Sequence, residues 1–228
     1  MAIEQVNHVA LTLEEQLPIW LIVIPFVAAP LILLFGNKGL AWAVSFLATA
    51  FSLAISVILV LTLKDGGVIS YHIGGWAPPI GIEYRIDATN ALILMLISLI
   101  ATVALPYAYR SVISEINPKH HTLFYASYML CFTGLMGIVV TGDAFNIFVF
   151  LEISSLATYI LVAMGAYKDK RALTAAYDYL ILGTIGATFF VIGIGFLYMA
   201  TGTLNLVDLA DRISDQGLNR TIRAGFGF

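Results

Sequence analysis

Six long apolar stretches restrict the folds open to this sequence. A helix that spans a bilayer requires about 20 predominantly apolar residues. The stretches that meet this requirement are Leu17–Phe35, Leu40–Leu63, Ala88–Tyr109, Thr122–Val140, Phe145–Ala166 and Ala172–Ala200. The chain is 60% hydrophobic and 11% charged, whereas soluble domains are about 45–50% apolar and about 25% charged. We therefore predict an all-α, multi-pass membrane protein with six transmembrane helices.

The basic residues predict the orientation of these spans. The loops after the first, third and fifth spans hold Lys38, Arg110, Lys119, Lys168, Lys170 and Arg171. By the positive-inside rule these loops are cytoplasmic, which places both termini outside, in the periplasm if the membrane is a bacterial inner membrane. The first sixteen residues contain no Lys or Arg, so they do not resemble a secretory signal. We predict an external tail over 1–16, one membrane domain over 17–200 and a second external tail over 201–228.

The connection between the second and third spans has a pattern of its own. Two short β-prone runs, Val68–Ile73 and Gly81–Asp87, flank the sequence Gly-Gly-Trp-Ala-Pro-Pro. Glycine and proline between two such runs are typical of a β-hairpin. We expect a short hairpin on the external surface.

Composition also excludes several classes of function. A net charge of −3 without a basic patch is not typical of a protein that binds nucleic acid. The single cysteine, Cys131, excludes an internal disulfide and any multi-cysteine metal site. No nucleotide-binding, haem-attachment or hydrolytic motif can be placed. We predict no cofactor, no metal and no catalytic residue in this chain. Transport is therefore a better hypothesis for its function than enzymatic activity.

Two acidic residues fall well inside predicted spans, and we predict that they carry protons. Glu152 lies in the fifth span, with Ser155 and Tyr159 on the same helical stripe. An ionisable residue inside a membrane faces the bundle interior or a water-filled cavity. There Glu152 can exchange protons, or it can only form hydrogen bonds with neighbouring helices.

Asp178, in the sixth span, lies seven residues after the basic loop that ends at Arg171. It can be a proton-entry carboxylate, or it can pair with Arg171 or Thr174.

Two further polar sites have simpler interpretations. Asp143 immediately precedes the fifth span, which is the usual position of a helix N-cap. His120 and His121 lie at the cytoplasmic start of the fourth span. Adjacent histidines point in different directions on a helix, so we expect solvated residues at the membrane interface and not a metal site.

The run from Thr141 to Tyr159, TGDAFNIFVFLEISSLATY, resembles the antiporter-like, proton-pumping membrane subunits of complex I and of Mrp-type Na⁺/H⁺ antiporters. The sequence looks most similar to the D-type subunit of the Mrp antiporters. Three other stretches support the resemblance: Gly74–Pro78, Tyr179–Gly183 and Leu197–Asn205. The likeness extends over most of the chain.

The resemblance implies a key role in the proton pathway for Glu152. It also implies an external hairpin and an external N-terminus. The family commonly has a lysine in the sixth span before an aromatic residue, where this chain has Asp178 before Tyr179. Because the family's subunits are longer, with a lysine in a seventh span, the chain looks like the N-terminal portion of such a subunit.

These observations lead to three hypotheses. The first is a membrane subunit, or a fragment of one, of a multisubunit cation/proton antiporter that moves H⁺ and Na⁺ alongside other membrane subunits in the lipid bilayer. The second is a proton-pumping membrane-arm subunit of NADH:quinone oxidoreductase or a related hydrogenase. The third is a structural or assembly fragment that does not transport.

Overall fold

The computed structural model describes residues 13–228, and it confirms the all-α membrane fold. Within this part of the chain, six helices are long and apolar enough to span a membrane. They are α1 (Leu13–Phe35), α2 (Lys38–Leu63), α3 (Ala88–Glu115), α4 (His121–Val140), α5 (Ala144–Met164) and α6 (Arg171–Thr201). Residues 1–12 of the predicted N-terminal tail lie outside the described residues.

Helix α4 lies at the centre of the bundle. It contacts α1, α2 and α3 on one side and α5 on the other, while α6 packs mainly against α5. A continuous apolar core is formed mainly by α1 to α4 and includes Leu21, Leu59, Leu94 and Met129, all fully buried. Helix α5 therefore lies between a compact four-helix group and a more peripheral α6.

Prolines do not interrupt the spanning helices. Helix α1 continues through Pro18, Pro25 and Pro30, as expected when neighbouring helices satisfy the backbone groups that proline releases. Helix α3 contains Pro106, and two side chains from other helices donate hydrogen bonds to its carbonyls nearby. Trp42 Nε1 donates to Leu105 O at 3.0 Å, and Tyr128 Oη donates to Ala101 O at 2.8 Å.

The predicted hairpin between α2 and α3 is confirmed. Strands β1 (Ile69–His72) and β2 (Glu83–Ile86) pair antiparallel, with Ile69 opposite Ile86 and His72 opposite Glu83. Tyr84 and Ile86 point into the core from one face of the hairpin. We call the end of the bundle that carries this hairpin the hairpin side.

Two short helices follow α6 on the hairpin side. They are α7 (Leu206–Gln216) and α8 (Arg220–Gly227). Helix α8 turns back and packs along α6: the ring of Phe228 stacks on Phe189 and Phe196, and the backbone of Gly225 lies against Gly193. This segment therefore contains helical structure that lies against the spanning bundle.

Candidate functional site

Helix α5 begins at Asp143, and this predicted N-cap is confirmed. Asp143 Oδ1 accepts a hydrogen bond from the Asn146 backbone N–H at 2.7 Å. Burial raises the pKa of the Asp143 carboxyl, while the backbone N–H groups of Asn146 and Phe145 act in the opposite direction. The carboxyl therefore stabilises the first turn of α5 from a site that is largely shielded from solvent.

One face of α5 packs tightly against α4 through two glycines. A Cβ atom at Gly134 would lie 2.7 Å from the Phe150 carbonyl oxygen and 2.7 Å from the Ser154 backbone nitrogen, and one at Gly137 would overlap the Phe150 ring. Close approach of this kind is typical of membrane helix interfaces with small residues. The contact fixes the rotation of α5 about its own axis.

The opposite face of α5 carries the stripe predicted from the sequence. Glu152 and Ser155 are half-buried, and Tyr159 is buried. The Tyr159 ring meets the Tyr179 ring of α6 edge to face, with centroids 5.2 Å apart. The Tyr159 hydroxyl lies over Gly183, where a Cβ atom would overlap it. Helix α6 thus covers the Tyr159 end of the stripe.

The hydroxyl groups of α5 fall into two classes. Ser154 and Thr158 donate to carbonyls of their own helix, at 2.9 and 2.7 Å. In contrast, within residues 13–228 neither Ser155 nor Tyr159 forms a side-chain hydrogen bond, and Glu152 has no hydrogen-bond or ion-pair partner there. The polar groups of the Glu152 stripe are therefore not committed to structural bonds in this part of the chain.

Asp178 lies on the exposed surface of α6. Arg171, one of its two proposed partners, instead pairs with Asp169, with 3.1 Å between Arg171 Nη2 and Asp169 Oδ2. Among the described residues, Asp178 forms no hydrogen bond with Thr174 or with Glu152. The structure brings together Glu152, Ser155 and Tyr159 on one stripe, with Asp178 next to Tyr179, which contacts that stripe.

The two histidines at the start of α4 differ from each other. His120 is exposed, as expected, but the prediction is wrong for His121, which is 4% exposed. Its Nε2 lies 3.1 Å from the Ile116 carbonyl oxygen, and this hydrogen bond closes the turn between α3 and α4. Within residues 13–228, no three His, Cys, Asp or Glu side chains come together as metal ligands.

The hairpin side contains a buried polar cluster that was not predicted from the sequence. Glu83 of β2 is 4% exposed, and its carboxylate accepts from Ser70 Oγ at 2.6 Å and from Asn205 Nδ2 at 2.8 Å. Asn205 precedes α7, and the position of an asparagine before an amphipathic run could have indicated the N-cap that it forms. No local signal could have indicated its bond to Glu83, 122 residues away.

Comparison with known proteins identifies a family whose model matches the segment that holds the Glu152 stripe. Residues 141–227, which hold the α5 stripe and the Asn205 segment, match the NADH:quinone oxidoreductase/Mrp antiporter transmembrane family. The predicted resemblance is confirmed. The matched segment includes Glu152, Asp178 and the contacts between α5 and α6.

Individual relatives cover most of the chain. The N-type subunit of NADH-quinone oxidoreductase from Desulforudis audaxviator is 40% identical over 87% of the chain. The D-type subunit of the Na⁺/H⁺ antiporter from Bacillus subtilis is 34% identical over 86% of the chain. The chain spans 39% of the length of each of these relatives.

A solved structure has the same fold. A chain of the membrane-bound sulfane sulfur reductase, an archaeal respiratory membrane complex, superposes with a TM-score of 0.83 at 30% identity. The match covers 92% of this chain and 42% of that one. The order and packing of the six spanning helices therefore follow an architecture found in a multisubunit membrane complex.

Proposed function

We propose that this chain is a membrane subunit, or a fragment of one, of a multisubunit cation/proton antiporter, and that Glu152 is its proton-exchange residue. The observation that carries the proposal is a carboxyl group in the middle of a spanning helix, half-buried and without an ion-pair partner in residues 13–228. Ionisable residues inside membranes are costly and typically functional. The antiporter relative and the family match support the same function.

The stripe suggests how protons reach Glu152. Carboxyl and hydroxyl groups both donate and accept hydrogen bonds when protonated. Ser155 and Tyr159 lie one and two turns from Glu152 on the same face, and their hydroxyls are not bonded to carbonyls of α5. Together with water they can extend a hydrogen-bonded path along α5 toward the end of the helix that Tyr179 covers.

Asp178 is proposed as a second proton-binding group, nearer the cytoplasmic end of α6. Its acidic side chain releases a proton to become an anion, so it cannot store a proton as a cation in the way that a lysine does. We propose that it captures protons near the basic loop and passes them toward the Tyr159–Tyr179 contact. Na⁺ is the ion that we propose is exchanged for H⁺, since the antiporter relative is named for Na⁺ and H⁺.

The decisive experiment replaces Glu152 with glutamine in the assembled complex. Glu152→Gln keeps the shape of the side chain but removes the exchangeable proton, so coupled Na⁺/H⁺ transport in membrane vesicles should fall to background while the amount of assembled complex stays unchanged. Glu115→Gln is the matched control, because Glu115 is an exposed acid that pairs with Lys168 outside the spanning core. Full transport by Glu152→Gln would refute the proton-exchange role and favour a structural fragment.

A second candidate is a proton-pumping membrane-arm subunit of NADH:quinone oxidoreductase. The 40% identity to the N-type subunit of that enzyme favours it. The same variant separates the two. In an antiporter, Glu152→Gln abolishes proton movement driven by an imposed Na⁺ gradient without any electron donor. In the respiratory complex, proton pumping driven by NADH oxidation is lost, and an imposed Na⁺ gradient moves no protons even in the unmodified complex.

We also propose that the hairpin side of the bundle, where α1 begins and α6 ends, faces the periplasm of an inner membrane. The distribution of Lys and Arg supports this orientation. In a Cys131→Ser background, single cysteines introduced at Ser114 and Asp169 should react with an impermeant maleimide only from the cytoplasmic side. One introduced at Gly67 should react only from outside. External labelling of Ser114→Cys would contradict this orientation and indicate the opposite one.

A further inference from the structure

A clasp of three chain segments surrounds Gly142 on the hairpin side. The Gly142 N–H donates to Glu83 O at 2.9 Å, and the Leu206 N–H donates to Gly142 O at 2.9 Å. Next to it, the Ala144 N–H donates to Leu204 O at 2.8 Å. The segment that leads into α5 is therefore held by backbone hydrogen bonds between strand β2 and the segment that leads into α7.

The side chains of Glu83 and Asn205 close this clasp. Both are 4% exposed, and Asn205 Nδ2 donates to Glu83 Oε1 at 2.8 Å. Asn205 Oδ1 accepts the N–H groups of Val207 and Asp208, each at 3.1 Å, and so caps α7. Truncation of Asn205 removes the donor to Glu83 Oε1. This loss is costly, because a buried carboxylate is stable only when hydrogen bonds replace its lost hydration.

Gly142 fits the clasp because it has no side chain. A Cβ atom at this position would lie 2.9 Å from Glu83 Cγ and 3.3 Å from Arg85 Cβ. The start of α5 is thus pressed directly onto strand β2. Glu83 therefore directly contacts Gly142, the residue that immediately precedes the Asp143 N-cap.

We propose that Glu83 and Asn205 are positioning residues for Glu152. A helix rises about 1.5 Å per residue, so Glu152 lies about 12 Å along α5 from Ala144. Because the helix is rigid over this distance, its starting point sets the depth of the Glu152 stripe in the membrane. The clasp fixes that starting point against both the hairpin and the end of α6. This inference rests on the proposed function only in naming Glu152 as the group that is positioned.

The test measures the position of the stripe and not transport. In the assembled complex with Cys131→Ser, the reporter Ser155→Cys on the Glu152 stripe is labelled with a water-soluble maleimide, and the rate is recorded. Asn205→Ala should change this rate by about fivefold, the effect of one buried hydrogen bond. Ser70→Ala is the matched control: it also removes a bond to the Glu83 carboxylate, but one that lies within the hairpin, so the rate should stay within about twofold.

Reversal of the hydrogen bond provides the rescue. Asn205→Asp places a second carboxylate against Glu83 and should shift the reporter as Asn205→Ala does. Adding Glu83→Gln restores the pair with the donor on the other side, while the introduced aspartate still caps α7. The double variant should therefore return the labelling rate to that of the reporter alone. Because it keeps every buried group bonded, it also tests the proposal if Asn205→Ala does not accumulate.

A second reporter distinguishes positioning from general unfolding. Ser98→Cys is fully buried among α1 to α4 and should stay unreactive in every variant. The proposal is overturned by an unchanged Ser155→Cys rate in Asn205→Ala, by an equal effect of Ser70→Ala, by failure of the double variant to rescue, or by labelling of Ser98→Cys. If Glu152→Gln transports normally while these labelling results hold, the proton-exchange role fails and the clasp stands.

Discussion

The α1–α4 group and the α5–α6 pair are built differently although both span the membrane. In the most apolar stretch of each helix, between 28% and 56% of the residues of α1 to α4 are buried inside the chain, compared with 28% for α5 and 17% for α6. Within α1–α4, buried hydroxyls such as Ser45, Ser98 and Thr133 donate to carbonyls of their own helices. On the Glu152 stripe the hydroxyls have no such bonds among residues 13–228.

This difference separates the helices that form most of the core from the stripe that we propose exchanges protons. Lipid is as apolar as a leucine side chain, so membrane helices associate through close packing and not through exclusion of water. Helices α1 to α3 obtain that packing mainly within the four-helix group, and α4 obtains it from this group and from α5. Helix α5 obtains its packing from the glycines of α4, from Tyr179 and Gly183 of α6, and from the clasp at its start. These contacts leave the polar groups of the Glu152 stripe without hydrogen-bond partners among residues 13–228.

The largest expected effect comes from breaking the junction between the two regions. Gly134→Ala places a methyl group against the backbone of α5, which cannot rotate away, so the free energy of unfolding in detergent should fall by about 1–3 kcal/mol or more. Gly186→Ala is the matched control, since a Cβ atom there meets nothing within 4 Å. A stability loss in Gly186→Ala equal to that in Gly134→Ala would contradict the packing account.

A smaller effect should separate the two regions by function. Tyr159→Phe removes one hydroxyl from the Glu152 stripe and keeps the ring against Tyr179, so on the proposed role of the stripe transport should fall by about fivefold with little loss of stability. Tyr128→Phe removes a hydroxyl that donates to Ala101 O between α4 and α3. It should lower the free energy of unfolding by about 1 kcal/mol and leave transport intact. If Tyr159→Phe and Tyr128→Phe had the same effects on transport and on thermal unfolding, the proposed difference in function between the two regions would be contradicted.

The smallest expected effect concerns pH and the start of α5. Burial raises the pKa of Asp143 above its ordinary value of 3.8, so the folded state holds this proton more tightly than the unfolded state. Stability should therefore decrease as pH rises from 3.8 through the raised pKa. Asp143→Asn keeps an N-cap side chain and should flatten this part of the thermal-unfolding profile in detergent. Parallel pH profiles for the two proteins would contradict the assignment.

The sequence alone predicted the elements that depend on neighbouring residues. Hydropathy located all six spans, and the Gly- and Pro-rich segment located the hairpin. The ends of the helices were less accurate: α3 was expected to end near Tyr109 but continues to Glu115. Hydropathy reports how long a segment is apolar, whereas a helix continues into the aqueous phase as long as its backbone hydrogen bonds do.

Asp143 and His121 show what the sequence determined and what only the tertiary structure decided. The cap at Asp143 was predictable because its partner, the Asn146 N–H, is three residues away. The burial of His121 was not, because it depends on how the turn after α3 folds over α4. The same applies to the bond between Glu83 and Asn205 and to the face of α5 that meets α4. Spanning helices are apolar all round, so their sequence identifies the membrane but not the neighbour, and only packing assigns each face.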